Sequence, residues 1–297
     1  VKVRVGFGLG TRTGFVDERF LDLVSLLEEL RFDSLWLSER VTGPCPDPVV
    51  ALAAAAGRTR RLKFGMSVMV LPGRNPMLVA KELATLDRLS GGRLLPAFGL
   101  GAVDPREQQA FGVTREQRAS LFDEALPLIR RLWTEERVDH DGVHFHLEGA
   151  KVRPFPRQSP PDVWLGGIAP SELRRVGRLG DGWLPSFVTP ADAAAGREVV
   201  ERTAREHGRS IDPEHFGVLL PYSLEPIPDE VLALLPTRRP DVDPRALVAS
   251  GAEQLRDRIR SFVDVGFSKF VVVPLGDPED PAEHLSRLAE VVLPLQT

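Results

Sequence analysis

The residues best placed to do chemistry in this chain are two glycine-rich turns and one charged pair. In Gly166-Gly167-Ile168-Ala169-Pro170-Ser171, an apolar run (Val163 to Leu165) ends in two glycines and a proline that opens a helix. Glycines let backbone N–H groups approach a ligand. A helix N-terminus carries about half a positive charge and unpaired donors, so the turn suits a phosphate. The same residues also suit an ordinary tight strand-to-helix connection. Gly99-Leu100-Gly101 leaves a second apolar run and would let a flat ring lie against main chain. Glu39-Arg40 follows a third run, Ser34 to Leu37. A guanidinium stays charged at any working pH, so Arg40 can stabilise developing negative charge or clamp a carboxylate but is a poor proton shuttle. Paired with Glu39 instead, it would be only a surface ion pair.

Other chemistries find no matching set of residues. Gly6, Gly8 and Gly10 approach a dinucleotide fingerprint, but the third spacing is wrong and Thr13-Gly14 intervenes before the helix. His144 and His146 are two apart on a hairpin strand and would share a face, yet no third ligand accompanies them, and no metal site is expected. His140 reads as a turn residue and His284 as a solvated one. Gly65-Met66-Ser67-Val68-Met69 lacks the second glycine of a nucleophile elbow. Cys45, the only cysteine, lies between Pro44 and Pro46, which excludes internal disulfides and reads as a loop thiol. A net charge of −4 with both signs scattered argues against nucleic acid. There is neither an apolar run of about 18 residues nor a leader pattern, so no membrane span is expected and the cytoplasm is the expected address.

The elements that must hold these turns are clearest from Phe64 to Gly101. An apolar strand (Gly65 to Leu71) is followed by Asn75-Pro76, a cap and a first-turn proline. A helix with Val79, Leu83 and Leu86 on one face then stops at Gly91-Gly92, and Leu94 to Phe98 returns parallel. The alternation repeats along the chain. Further strands are expected at Val3 to Gly8, Ser34 to Leu37, Val163 to Leu165, Gly182 to Leu184, Phe216 to Tyr222 and Lys269 to Val273. The helices fall between them, with a long one over Arg115 to Trp133 and the last over Pro281 to Val292. Two insertions interrupt the pattern. Glu135 to Pro161, after strand four, contains an Asp141-Gly142 hairpin signal, and Ser223 to Ser250, after strand seven, is proline-rich from Pro226 to Pro244. Eight strand and helix pairs in 297 residues predict an α/β protein, a (β/α)8 barrel forming one domain over 1–297, with its chemistry in the loops after the strands. Trp36, Met69 and Trp183 are candidates to line the pocket there.

The segment LPGRNPMLVAKELATLDRLSGGR, the Gly-Leu-Gly turn, the hairpin followed by RPFPRQSPPDVWLGG, and Gly180-Asp181-Gly182-Trp183 occur in order across essentially the whole chain. Together they resemble the bacterial luciferase-like family of flavin and deazaflavin oxidoreductases, and within it the actinobacterial deazaflavin branch. The resemblance implies a (β/α)8 barrel binding the deazaflavin coenzyme F420, or alternatively FMN, at the strand C-terminal ends. It places a non-proline cis peptide at Ser67-Val68 behind the ring, Leu100 and Gly101 beside it, Gly166, Gly167 and Ile168 at the cofactor phosphate, and Glu39 in contact with the cofactor. It also implies a homodimer and a small-molecule substrate. Two departures bear on mechanism. Where deazaflavin dehydrogenases of the family show Asp-His this chain has Glu39-Arg40, and where a sugar-phosphate dehydrogenase carries a glutamate it has Ala102. Hydride transfer to or from an apolar substrate, with Arg40 and Glu39 as the charged groups, is the reading that follows. An FMN monooxygenase fed by a partner reductase, or a cofactor carrier without turnover, are the alternatives.

Overall fold

Short parallel strands, each too short to bury its own apolar faces, are covered on one side by helices and on the other by one another. The computed structural model describes residues 2–14, 17–228, 230, 232 and 239–297. Its barrel strands are β1 (Arg4–Leu9), β2 (Ser34–Leu37), β3 (Lys63–Met66) continued by β4 (Met69–Val70), and β5 (Leu94–Leu95) continued by β6 (Ala97–Gly99). An outlying hairpin, β7 (Val138–Asp141) with β8 (His146–Ala150), precedes the remaining barrel strands, β9 (Trp164–Leu165), β10 (Gly182–Trp183), β11 (Gly217–Ser223) and β13 (Lys269–Pro274), while the short β12 (Ala249–Ser250) is an edge strand paired with the end of β11.

The pairing runs in parallel from β13 through β1, β2, β3 and β5, and from β4 through β6, β9 and β10. Parallel bridges from Trp183 to Phe216 and from Ser186 to Leu219 carry it on to β11, which pairs with β13 and closes the ring. The result is the expected (β/α)8 barrel. Around it lie α1 (Glu18–Glu29), α2 (Pro48–Arg58), α3 (Pro76–Ser90), α5 (Arg118–Thr134), α6 (Pro170–Leu179), α7 (Pro190–Glu206) and the helices Ala252–Asp264 and Pro281–Val292. The signals around α3 act as anticipated. The Asn75 side chain accepts from the Met77 and Leu78 N–H groups, and Gly91 ends the helix in the left-handed conformation at φ 75°.

Two strands differ from expectation in being broken. Strand three is interrupted at Ser67-Val68, whose peptide bond is cis. Strand four is interrupted at Pro96, which has no N–H to pair. A further helix, α4 (Pro105–Phe111), precedes α5, which starts at Arg118 rather than Arg115. This short helix has little apolar face to reveal it; it is defined by the Asp104 cap on the Arg106 N–H and by Gly112 at φ 65°. The hairpin is present, with Asp141 opposite His146. Of the second insertion, residues 229, 231 and 233–238 lie outside the described residues. No helix among the described residues is long and apolar enough to cross a membrane.

The barrel interior is filled by Trp36, Ala97, Trp164, Leu184, Leu219 and Val271. Trp36 lies flat on Gly65, where a Cβ would come within 2.2 Å of the indole. This packing corrects the pocket candidates. Trp36 is fully buried as a core plug with its N–H donated to Ser34 Oγ (2.9 Å), Met69 is also fully buried, and Trp183 packs on Gly196 and donates to the Gly167 carbonyl (2.9 Å). None of the three lines the cavity described next.

Candidate active site at the strand C-terminal ends

A cavity of about 830 Å³ opens where the strands end, within the size range of small-molecule and cofactor sites. Apart from Trp36, Met69 and Trp183, the site residues singled out from the sequence all lie on its wall: Glu39, Arg40, Ser67, Val68, Leu100, Gly101, Gly166, Gly167 and Ile168. The topology explains the convergence, because strands two, three, four and five are consecutive staves and each turn sits at a stave's C-terminal end.

The floor is built around the cis bond. Val68 rises between two glycines of neighbouring strands: a Cβ on Gly99 would sit 2.4 Å from Val68 Cγ2, and one on Gly166 3.2 Å from Cγ1. Gly101, at φ 82°, faces Val70 at 2.9 Å in the same way. These glycines thus make room for valine side chains, and the flat surface on offer is Val68 backed by two strands rather than bare main chain. Beside it, Ser38 Oγ lies 3.2 Å from both the hydroxyl and the carbonyl of Ser67.

The charged pair is arranged differently from either sequence reading. Glu39 and Arg40 do not pair with each other. Glu39 accepts from the Val70 N–H (2.6 Å) and from Arg74, so it ties strand two to the segment after the cis bond. Burial raises the Glu39 pKa above its ordinary value, against the pull of Arg74 and the Val70 N–H. Arg40 donates to Asp104 (2.6 Å) at the start of α4, and its side chain stays 40% exposed. Glu107 on α4 accepts from Val41, Thr42 and the Thr42 hydroxyl, which outweigh burial and hold its pKa low. Helix α4 is therefore fastened over the cavity by the loop that carries Arg40.

At the far wall, the Gly166-Gly167-Ile168 turn leads into α6 as expected. Its Ile168 and Ala169 N–H groups, however, both donate to Glu172 Oε2 at 3.0 Å. Arg118 and Arg175 also line the cavity. Arg118 donates to the carbonyls of Leu100, Gly101 and Ala102, the closest at 2.8 Å, and Arg175 pairs with Asp123 at 2.5 Å.

Sequence reasoning missed Ser38, Arg118, Glu172 and Phe187. Glu172 had a partial signal, an acid at the third helical position that can reach back to the N-cap N–H, although Ala169 has no side chain to complete a capping box. Phe187 had none: it lines the cavity at φ 57°, a conformation rare for a bulky residue. The histidine readings also change. His144 faces Ser120 Oγ (2.9 Å) while His146 faces Asp141 (2.7 Å), so they form no shared site. His140 sits in β7 against Glu124 (3.0 Å), and His284 is half-buried and stacked on Tyr222 with a 2.7 Å hydrogen bond.

A parallel (β/α)8 barrel with a cavity at the C-terminal ends of its strands has the architecture of an α/β-barrel enzyme, and comparison with known proteins narrows it. The family model for luciferase-like monooxygenases matches residues 4–290, and the chain belongs to that family. It is accordingly an oxidoreductase. Among curated relatives, it is 29% identical to an F420-dependent glucose-6-phosphate dehydrogenase of Kineococcus radiotolerans, over 95% of this chain and 94% of that one. It is 30% identical to a 4-hydroxyprotoasukamycin monooxygenase of Streptomyces nodosus subsp. asukaensis, over 73% of this chain and 64% of the relative. Its fold matches that of an F420-dependent secondary alcohol dehydrogenase solved with an F420-acetone adduct, with a TM-score of 0.85, 20% identity and full coverage of both chains.

Proposed function

We propose that this protein transfers a hydride between coenzyme F420 and a small, apolar organic substrate. The observation that carries the reading is the gathering of floor, ring-side turn and phosphate turn on one cavity wall, in a chain whose full-length relatives are named F420-dependent dehydrogenases. Val68, backed by Gly99 and Gly166, would support the ring, Leu100 and Gly101 would flank it, and the turn from Gly166 to Ile168 with Arg118 nearby would receive the phosphate. When bound, the reduced deazaflavin supplies a hydride donor at its C5 carbon.

The chain's own residues indicate a substrate other than the sugar phosphate in those relatives' names. Ala102 and Arg40 stand where the family resemblance places a glutamate and a histidine. The rest of the wall includes Phe187, Leu219, Pro221 and Val273, which favour an apolar body. Arg40 supplies positive charge: with Nη2 on Asp104 and Nε 3.9 Å from Glu107, it keeps Nη1 for a substrate oxygen on which negative charge develops. Glu39 acts through position, fixing the segment after the cis bond through the Val70 N–H, rather than as an acid exchanging protons with substrate.

The test is a fluorescence titration with F420 and separately with FMN, oxidised and reduced, followed by a turnover screen over ketones, enones and secondary alcohols. F420 is expected to bind at least tenfold tighter than FMN and to turn over with an apolar carbonyl. The reverse preference would move the assignment to a flavin monooxygenase served by a reductase. Tight binding without turnover across the panel would make it a carrier.

A further inference from the structure

The phosphate turn contains a conflict. Ile168 N–H and Ala169 N–H, the donors a phosphate would need, are already held by Glu172 Oε2. Gly167, at φ 103°, folds directly onto that side chain, so that a Cβ there would lie 2.7 Å from the carboxyl group. The helix behind it, α6, is ten residues long and presents its positive end to the cavity. A second observation points to a ligand. Arg118, only 7% exposed on the same cavity, uses one nitrogen for three backbone carbonyls and leaves its buried Nε without a partner. Its partners are neutral carbonyls and, among the described residues, no carboxylate lies within ion-pair distance, so a buried positive charge on this cavity wall stands without an anion of its own and favours one nearby. Burial and the neighbouring Arg115 lower the Arg118 pKa, and Glu172 and Glu116 oppose them, so Glu172 is already part of its electrostatic surroundings.

We propose that this turn is an anion seat whose resting occupant is the chain's own Glu172 carboxylate, and that the phosphate of a phosphate ester, mono- or diester, takes the seat by displacing it. Arg118 is then the buried cation that balances whichever anion is seated. Two anions cannot share one pair of N–H donors, and side by side they repel. Glu172 therefore sets how tightly the chain holds a phosphate-bearing ligand, and it discriminates between a phosphorylated cofactor and its dephosphorylated form. The identity of that ligand rests on the cofactor reading above; the seat itself does not.

The experiment compares wild type, Glu172→Ala and Glu172→Gln using FMN and riboflavin, which differ by one phosphate, together with F420, and uses inorganic phosphate alone in thermal melts. Glu172→Ala is expected to bind FMN and F420 about tenfold tighter than wild type, and Glu172→Gln by less, because its amide oxygen still accepts the two N–H groups without a charge. Riboflavin affinity should be the same in all three, and inorganic phosphate should raise the melting temperature of Glu172→Ala more than that of wild type. Equal or weaker binding of phosphate-bearing ligands by the variants would overturn the seat, leaving Glu172 as a helix cap only. If no flavin or deazaflavin binds any form, the cofactor reading fails and the phosphate melts alone decide the seat. Glu172→Gln, which keeps the cap, decides it if the alanine variant does not fold.

Discussion

The two ends of the barrel use charge in opposite ways. At the N-terminal end, Asp33 lies between Lys269 (3.0 Å) and Lys63 (3.1 Å), with Arg4 at 3.9 Å, all at or beside the first residues of β1, β2, β3 and β13. Asp33 and Lys269 are each 8% exposed, and the Asp33 carboxylate is saturated by cations. At the C-terminal end, Arg40 is half in solvent with one firm partner, Arg118 keeps an unpaired nitrogen, and the Glu172 carboxylate occupies donors that a ligand could claim. A closed network fixes the barrel's seam, whereas an open one leaves valences for something that arrives later. This is the division expected when stability and chemistry sit at opposite faces of a parallel barrel.

Four substitutions sharpen or break that contrast. The largest effect is expected from Asp33→Asn. It strands a buried Lys269 and should cost about 3 to 5 kcal/mol in urea unfolding, with cofactor affinity of the folded fraction unchanged. The pH dependence has a definite sign. Burial alone would raise the Asp33 pKa, but Lys269 and Lys63 outweigh it and hold it below its ordinary 3.8. The unfolded chain therefore takes up the proton first on acidification. The contribution is present above about pH 4 and is lost as pH falls through the depressed native value. Wild-type stability should fall with acid in that window more steeply than that of Asp33→Asn, and parallel curves would break the assignment.

Gly99→Ala comes next. Its Cβ would press on Val68 at 2.4 Å, so overpacking should cost about 1 to 3 kcal/mol. Affinity for the ring should fall as the floor lifts. Adding Val68→Ala should restore most of the affinity, since the two residues are in contact and their effects are not additive. Failure of the pair to recover would mean that the floor is not built as described. Arg40→Ala should change stability least, by under about 1 kcal/mol, because its ion pair with Asp104 is partly exposed. It should nonetheless lower kcat/KM by tenfold or more with the substrate that the screen returns, at nearly constant cofactor affinity. A stability loss as large as that of Asp33→Asn would place Arg40 with the structural charges.

The sequence by itself determined the alternation of strand and helix, the caps of α3, the hairpin at Asp141-Gly142 and the three turns that carry the site. Each of these is written in local residue types: apolar runs, Asn-Pro starts, Gly-Gly stops. Composition and periodicity act over a few residues, so their consequences can be read along the chain. The partners could not be read in this way. Glu39 takes Arg74 and Arg40 takes Asp104, although the two stand next to each other, because adjacent residues at a strand end point apart while loops from neighbouring staves meet. Val68 fills the space left by Gly99 and Gly166, Trp36 turns inward onto Gly65, and the Ile168 and Ala169 N–H groups are held by Glu172. Only closure of the barrel decided these contacts, since it brings residues 39, 68, 99 and 166 to one rim from positions far apart in the chain, and distance in space rather than in sequence sets which charges and which volumes compete.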